Sequence, residues 1–229
     1  MKRSEINHIL REGEAFMRSF GQVLPPFAYL PPAEMKARTS ELRALSERQL
    51  GWDVTDFGSG NFARTGLLLF TARNGLAADL GRGGGMVYAE KIMIARRDQL
   101  TPMHRHERKA EDIVNRGGAR LAIELFSAAP DGSIDPDRPV EIQTDGILRR
   151  LRGGDVLTLR PGESVTLLPR LHWHAFWGEG GDVLVGEVST VNDDLGDNVF
   201  RDPVGRFATI QEDEAPLRLL VSDYETWLR

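Results

Sequence analysis

The spacing of apolar side chains changes character near residue 66. Between residues 6 and 20, Ile, Leu, Met and Phe recur at the three- and four-residue intervals of an amphipathic helix, and Gly21 ends the pattern. A second helical pattern begins at Pro32, because proline suits the first turn of a helix. We therefore predict a helical extension over residues 1–65.

From residue 66 onward, short apolar or alternating runs are separated by turn-forming pairs such as Asp145–Gly146 and Gly180–Gly181. The runs are GLLLFTA, MVYAEKIMIA, ARLAIELF, VEIQT, DVLTLR, SVTLL and VLVGEV. This pattern of short apolar runs and turns is typical of a closed antiparallel β-sandwich or barrel. The sequence predicts one mostly β domain over residues 1–229, with a barrel at about 66–216 and the helices packed on it. The tail after the barrel fits either a strand or a helix.

Charge and composition limit the partners of the chain. It has 29 Lys and Arg against 34 Asp and Glu, and this net charge of −5 offers no uniform basic field for nucleic acid or an anionic membrane. The N-terminus carries Glu5, Glu12 and Glu14 and lacks the apolar core of a secretory signal, and no run approaches the ~18 apolar residues of a membrane span. We expect a cytoplasmic protein that acts on a small molecule.

Four of the five histidines form two pairs, His104 with His106 and His172 with His174. Alternate residues of a strand share a face, so each pair projects two imidazoles together. Glu111 lies five residues beyond His106 and can join the first pair only if the chain turns between them. One histidine of the second pair can then close a site.

The histidine pairs suggest a metal site without sulfur. The chain has no cysteine, and imidazole and carboxylate donors suit Mn²⁺, Fe²⁺, Zn²⁺, Co²⁺ or Ni²⁺. Three His and one Glu leave two positions of an octahedral ion for a substrate with two oxygens. The alternative for a single pair is an exposed strand end with no ligand. Two pairs that use four of five histidines favour a metal.

The spacing of these residues resembles the cupin family of small β-barrels with jelly-roll-like folds. His104, His106, Glu111 and Gly118 match the first cupin motif, and Pro169 and His174 match the second. The chain departs from the motifs at Asp98, Leu171, Gly178 and Gly162. The resemblance implies that His104, His106, Glu111 and His174 hold the metal, with His172 beside the site.

Six segments together resemble the bacterial D-lyxose isomerase family, over residues 4 to about 216. They are SEINHIL, YAEKIMI, TPMHRHERKAEDIVNRGG, HAFWGEGGDVLVGEVSTVNDD, DNVFRDPVGRF and EDEAP. Members interconvert D-lyxose and D-xylulose, and often D-mannose and D-fructose, through a cis-enediol. They use a divalent metal, typically Mn²⁺, and are usually homodimers. The resemblance implies the same for this chain.

Three residues are candidates for proton transfer in such a reaction. The resemblance assigns a catalytic lysine to Lys109, which spacing alone would leave as a solvated charge. Glu187 lies in the apolar run VLVGEV, where a carboxylate is costly unless it is paired, and it is the first candidate for the carbon base. Glu212, in an acidic segment, is the second.

Three aromatic side chains lie close to His174 in the sequence. They are Trp173, Phe176 and Trp177, and they either stack on a sugar or pack in the core.

Two other functions are compatible with the same ligands. An Fe²⁺-dependent cupin dioxygenase would use the same ligands but would not require a lysine beside them. A non-catalytic sugar-binding cupin is the third possibility.

Overall fold

The computed structural model describes residues 1–194 and 196–228. The strands are β1 (Gly51–Thr55), β2 (Leu67–Asn74), β3 (Tyr88–Ala95), β4 (Thr101–His106), β5 (Glu111–Ala128), β6 (Ile134–Asp135), β7 (Val140–Thr144), β8 (Ile147–Leu151), β9 (Val156–Leu159), β10 (Ser164–Leu167), β11 (His172–Thr190) and β12 (Asn198–Phe200). They form a single antiparallel sheet in the order β1-β2-β3-β11-β5-β10-β7-β8, with β4 beside β11, β12 beside β4, and β6 and β9 beside β5.

The helices are short except for the first. They are α1 (Arg3–Ser19), α2 (Pro32–Ala37), α3 (Arg43–Glu47), α4 (Ala77–Arg82) and α5 (Tyr224–Trp227), with 3₁₀ turns at Pro26–Tyr29 and Val221–Asp223. Within the described ranges, none of the helices has both the length and the apolar character needed to cross a membrane.

The two longest strands, β5 and β11, form the centre of the barrel. They pair along most of their length, while the first half of β11 also pairs with β4 and its second half with β3. A strand that changes neighbours in this way lets the sheet fold over on itself into the predicted cupin-type barrel. The mostly β fold class is confirmed.

Strand β2 shows how the sheet separates two cores. Leu67 and Leu69 point into the barrel, whereas Leu68 and Phe70 belong to a second cluster shared with α1. Apolar side chains on both faces explain why this run reads as continuous instead of alternating. Gly13 lets α1 approach closely, since a Cβ there would lie 2.1 Å from Leu68 Cδ2. The helical segment therefore packs on the barrel, as predicted.

The helical extension is shorter than the predicted 1–65. Helix α3 ends at Glu47, and β1 follows and pairs with β2. Trp52 and Val54 of β1 are buried in the outer core, and Trp52 Nε1 donates to the carbonyl of Ala28. The five-residue alternation of β1 was too short to stand out from the helical segments before it.

The tail returns to the N-terminus. The buried guanidinium of Arg3 forms ion pairs with Glu212 at 2.6 Å and with Asp223 at 2.8 Å. Asn7 adds two backbone contacts, donating to the carbonyl of Ala215 and accepting from the amide of Leu217. The tail over residues 211–228 forms isolated bridges at Gln211 and Leu220 and then a 3₁₀ turn and the short α5, so it is neither a full strand nor one continuous helix.

Replacing Arg3 with Met is expected to lower the free energy of unfolding by about 2–4 kcal/mol, because buried Asp223 would lose its cation. Glu212 is half exposed, so water would compensate it and it adds little to the cost. Urea denaturation measures the change. Arg18→Met, which removes an exposed pair with Glu14, is the control and should change stability by less than about 1 kcal/mol. An unchanged Arg3→Met midpoint would contradict the assignment.

Candidate metal centre and active site

The barrel contains a pocket that opens to solvent, with about 480 Å³ of empty space when its open mouth is included. One wall is apolar and contains Phe57, Leu67, Leu69, Phe176 and Phe200. The remaining lining is dominated by histidine, lysine and carboxylate side chains, which would be costly to bury without partners. Convergent polar groups in an otherwise apolar cavity are the usual composition of a ligand site.

Three histidines converge in this cavity. His104 and His106 project from β4, and His174 lies opposite His104 in the neighbouring β11. One nitrogen from each ring can be chosen so that all three lie within 4.8 Å of one another. All three side chains are buried, and burial holds the pKa of His104 well below its usual range, so that this ring is neutral. Neutral imidazole is the form that binds a metal.

The hydrogen bonds of these rings fit a cation. His104 Nδ1 lies 2.8 Å from the carbonyl of Pro102, so it carries the proton and leaves Nε2 free as a donor to a metal. Among the described residues, Nδ1 of His106 and Nδ1 of His174 have no hydrogen-bond partner, and the contact of His174 Nε2 is with the carboxylate of Glu111. Unpartnered buried nitrogens are costly unless something else binds them. The donor set therefore fits a divalent metal.

Glu111 adds a carboxylate to the histidines. Its Oε1 lies 3.1 Å from His106 Nε2 and 3.3 Å from His174 Nε2. The required turn is present, because β4 ends at His106 and β5 begins at Glu111. Burial alone would raise the pKa of Glu111, but the charges of Lys109 and His106 hold it well below its usual range. Glu111 is thus an ionised donor beside the three imidazoles.

Lys109 is buried rather than solvated. Its Nζ lies 2.7 Å from Glu111 Oε2 and 2.9 Å from Glu187 Oε1. Burial acts to lower the pKa of Lys109, but the two carboxylates raise it above its usual value, so the ammonium is retained. Asp197 fixes the turn by accepting from the backbone amides of Arg108 and Lys109. The surface-lysine alternative is therefore wrong.

Glu187 reaches the same cavity from the second half of β11. Burial would raise its pKa, yet Lys109 and Lys91 lower it, so the side chain is a carboxylate. His174 and Glu187 are thirteen residues apart, an odd offset that would put them on opposite faces of a regular strand. Irregular pairing between Glu179 and Val183, where Gly180 takes a φ of 80°, restores the common face.

Two further cations continue the polar wall. Lys91 on β3 lies 3.5 Å from Glu187 and 3.7 Å from Asp194. Arg206 lies 2.9 Å from Asp194 and 2.7 Å from Asp53. Carboxylates and cations thus alternate along this wall in the order Glu111, Lys109, Glu187, Lys91, Asp194, Arg206 and Asp53. Sequence reasoning missed Lys91, although a lysine within the apolar run YAEKIMI is the same signal that singled out Glu187.

Glu212 lies outside this arrangement. Its side chain is half exposed, is bonded to Arg3 and is absent from the described lining of the cavity. The acidic segment that carries it runs beside α1, since Gln211 pairs with Lys2. The structure therefore brings Glu187 into the cavity with the histidines and does not bring Glu212 there.

The residues around His174 have separate roles. His172 lies outside the described cavity lining, where its Nδ1 accepts from the amide of Leu168 at 3.0 Å. Burial lowers the pKa of His172 to about 4. Trp173 packs against Arg105 and donates to the carbonyl of Gly132, whereas Phe176 lines the cavity. Of the two interpretations, Trp173 fits core packing and Phe176 fits the pocket.

Solved structures with the same fold support the architecture. The chain is similar to an L-ribose isomerase from Acinetobacter sp. DL28 in complex with L-ribose, with a TM-score of 0.60 and 17% identity over 92% of this chain and 98% of that one. It is also similar to L-ribose isomerase from Cellulomonas parahominis with L-psicose, with a TM-score of 0.55 and 19% identity over the same shares. At this identity the likeness establishes the fold.

Sequence relatives are much closer. Proteins described as D-lyxose/D-mannose isomerase from Serratia proteamaculans and Escherichia coli O157:H7 are each 46% identical over 227 residues, which is 98% of this chain and 98% of each relative. The chain is accordingly a sugar isomerase of the aldose–ketose class. It belongs to the D-lyxose isomerase family, whose profile matches residues 1–224, and the resemblance drawn from the sequence is confirmed.

Proposed function

We propose that this chain interconverts D-lyxose and D-xylulose, and also D-mannose and D-fructose, with Mn²⁺ as the bound cation. The supporting observation is the placement of the His104, His106, Glu111 and His174 donor set beside the buried pair of Lys109 and Glu187. The names of the two relatives at 46% identity support the choice of sugars. A dioxygenase or a simple binding protein would not require the second carboxylate.

The metal and the protein groups would divide the reaction between them. When bound, a divalent cation supplies Lewis-acid polarisation of the carbonyl and stabilises the enediolate. Glu187 removes the proton from C2, the electrons of that bond form the C1–C2 double bond, and Lys109 gives a proton to O1. Lys109 then takes the hydroxyl proton from O2 while Glu187 returns its proton to C1. The result is the ketose, and both residues recover their initial protonation states.

The charge pattern favours an unphosphorylated sugar. Among the described lining residues, the cations are Lys91, Lys109 and Arg206, and each is already paired with a carboxylate. A phosphate group needs unpaired cations or free amides. Hydroxyl groups, by contrast, need no unpaired charge.

The direct test is turnover across a panel of sugars with protein freed of metal and then reloaded. We expect Mn²⁺-dependent conversion of D-lyxose and D-mannose, weaker conversion of D-xylose and L-ribose, and none of phosphorylated aldoses. Oxygen uptake with Fe²⁺ and no ketose formation would instead favour the dioxygenase. Sugar binding without turnover would favour the non-catalytic protein.

The oligomeric state and the location need separate measurements. The implied homodimer is tested by analytical ultracentrifugation, and the cytoplasmic location by fractionation of the native host.

Replacing Lys109 with Met is expected to lower kcat about 10²-fold, because the sugar oxygens lose their proton donor while the apolar stem stays in place. The variant keeps all of the candidate metal donors, although Glu111 loses its contact with the ammonium, so metal content after dialysis should stay at the wild-type level. Elemental analysis and a ketose assay measure the two quantities. Lys36→Met, which removes an exposed lysine on α2, is the matched control. Near-normal kcat in Lys109→Met would contradict the assigned role.

A further inference from the structure

Lys91 is a second lysine beside Glu187, the proposed base. It lies on β3, directly across from Glu187 in the pairing of β3 with β11. Its side chain is buried and lines the cavity, and its Nζ lies 3.5 Å from Glu187 Oε1. A buried lysine side chain is costly unless it is paired, so its place beside Glu187 calls for an explanation.

Both lysines approach the same oxygen of Glu187. Lys109 Nζ donates to Oε1 at 2.9 Å, and the contact of Lys91 also reaches Oε1. Contacts from two lysines to one oxygen restrain the carboxylate, and they leave Oε2 as the oxygen of Glu187 that is available to exchange a proton.

Lys91 is itself held by a rigid support. Its Nζ donates to Asn192 Oδ1 at 2.6 Å. The backbone of Asn192 is fixed in turn by Asn74, whose amide side chain donates to the carbonyl of Asn192 and accepts from its amide. All three residues are buried. Because Asn192 holds the side chain of Lys91 in place, Lys91 can in turn restrain the position of Glu187.

We propose that Lys91 is a positioning residue for proton transfer, which holds Glu187 through Oε1 so that Oε2 meets the substrate carbon. This inference rests on the proposed function, because it needs Glu187 to be the carbon base. It differs from the role of Lys109, since Lys109 also contacts Glu111 among the metal donors. Lys91 would act on the rate of the proton-transfer step and not on the affinity for the sugar.

The test is a double-mutant cycle on Mn²⁺-loaded enzyme with D-lyxose. We expect Lys91→Met to lower kcat about 30-fold with KM changed less than about 3-fold, because a base displaced by a fraction of an ångström loses rate more than binding. Lys91→Arg, which keeps the charge, should recover most of the loss. In a Glu187→Gln background, Lys91→Met should change the residual kcat less than about 2-fold. Lys36→Met, with its exposed site, is the control.

Three outcomes would overturn the proposal. They are an unchanged kcat in Lys91→Met, a rise in KM with kcat preserved, and losses that multiply in the double variant. If Lys91→Met does not fold, Asn192→Leu tests the same idea, because it keeps the lysine and the backbone contacts but removes the bond at 2.6 Å. It should lower kcat about 5-fold, and an unchanged kcat would count against Lys91.

The wild-type protein separates the failure of this inference from the failure of the proposed function. Wild-type turnover with unaffected Lys91 variants would contradict only the role of Lys91. Absence of wild-type turnover on every aldose tested would contradict the proposed function and the positioning role with it.

Discussion

Replacing His104 with Ala is expected to abolish high-affinity Mn²⁺ binding and to lower isomerase turnover by about 10⁴-fold, corresponding to the several kcal/mol of transition-state stabilisation that a catalytic cation supplies. His104 is the right choice because its Nδ1 bond to Pro102 already fixes which nitrogen faces the cavity. Its removal leaves His106 and His174 with Glu111, one donor fewer. Titration calorimetry with Mn²⁺ and a ketose assay measure the two losses.

His8→Ala is the matched control for this substitution. His8 is an exposed histidine of α1 that pairs only with Glu12 among the described residues. Its removal should leave metal affinity and turnover at wild-type levels. The metal assignment would be disproved if His104→Ala retained both tight Mn²⁺ binding and activity, whereas loss of activity with unchanged binding would point to a role of His104 toward the sugar.

Replacing Glu187 with Gln is expected to lower kcat by about 10³-fold or more, because the amide has the shape of the carboxylate but cannot accept the proton from carbon. KM should change little, since the hydroxyl contacts of the side chain are preserved. Exchange of the C2 proton of D-lyxose with deuterated water, followed by NMR, should also stop. That exchange reports the carbon step even where ketose formation is slow.

Glu212→Gln distinguishes the two carboxylates that the sequence offered. Glu212 contacts Arg3 on the outside of the barrel, so its amide variant should keep wild-type kcat and lose only a little stability. If Glu212→Gln lost turnover while Glu187→Gln kept it, the assignment of the base would be reversed. We therefore expect kcat to be much lower in Glu187→Gln than in Glu212→Gln, and the reverse would contradict the assignment.

The barrel could be predicted because its strands alternate with turn pairs at short intervals. The runs ARLAIELF and VLVGEV fall within β5 and β11, the two strands that organise the sheet. Strand β1 could not be recognised, since five residues carry too little periodicity and its burial comes from α1 and the tail. Pairing partners such as β4 with β12 depend on contacts far apart in the chain.

The candidate site was partly readable from the sequence. Same-face spacing brought His104 and His106 together, and the cupin resemblance selected His174 over His172. The position of Lys109 in the cavity depends on the turn that Asp197 holds, 88 residues away in the chain. The exclusion of Glu212 follows from its bond to Arg3, 209 residues away. Long-range contacts of this kind leave no mark in local spacing.

Strand β11 sets the distance between the metal donors and the proposed base. It carries a metal donor, His174, and the proposed base, Glu187, on one continuous backbone, and their common face depends on the irregular pairing around Gly180. Deleting or inserting one residue in that bend would turn Glu187 away from the cavity while His174 stayed in place. Variants that shorten or lengthen the segment between residues 177 and 182 by one residue should therefore lose isomerase activity.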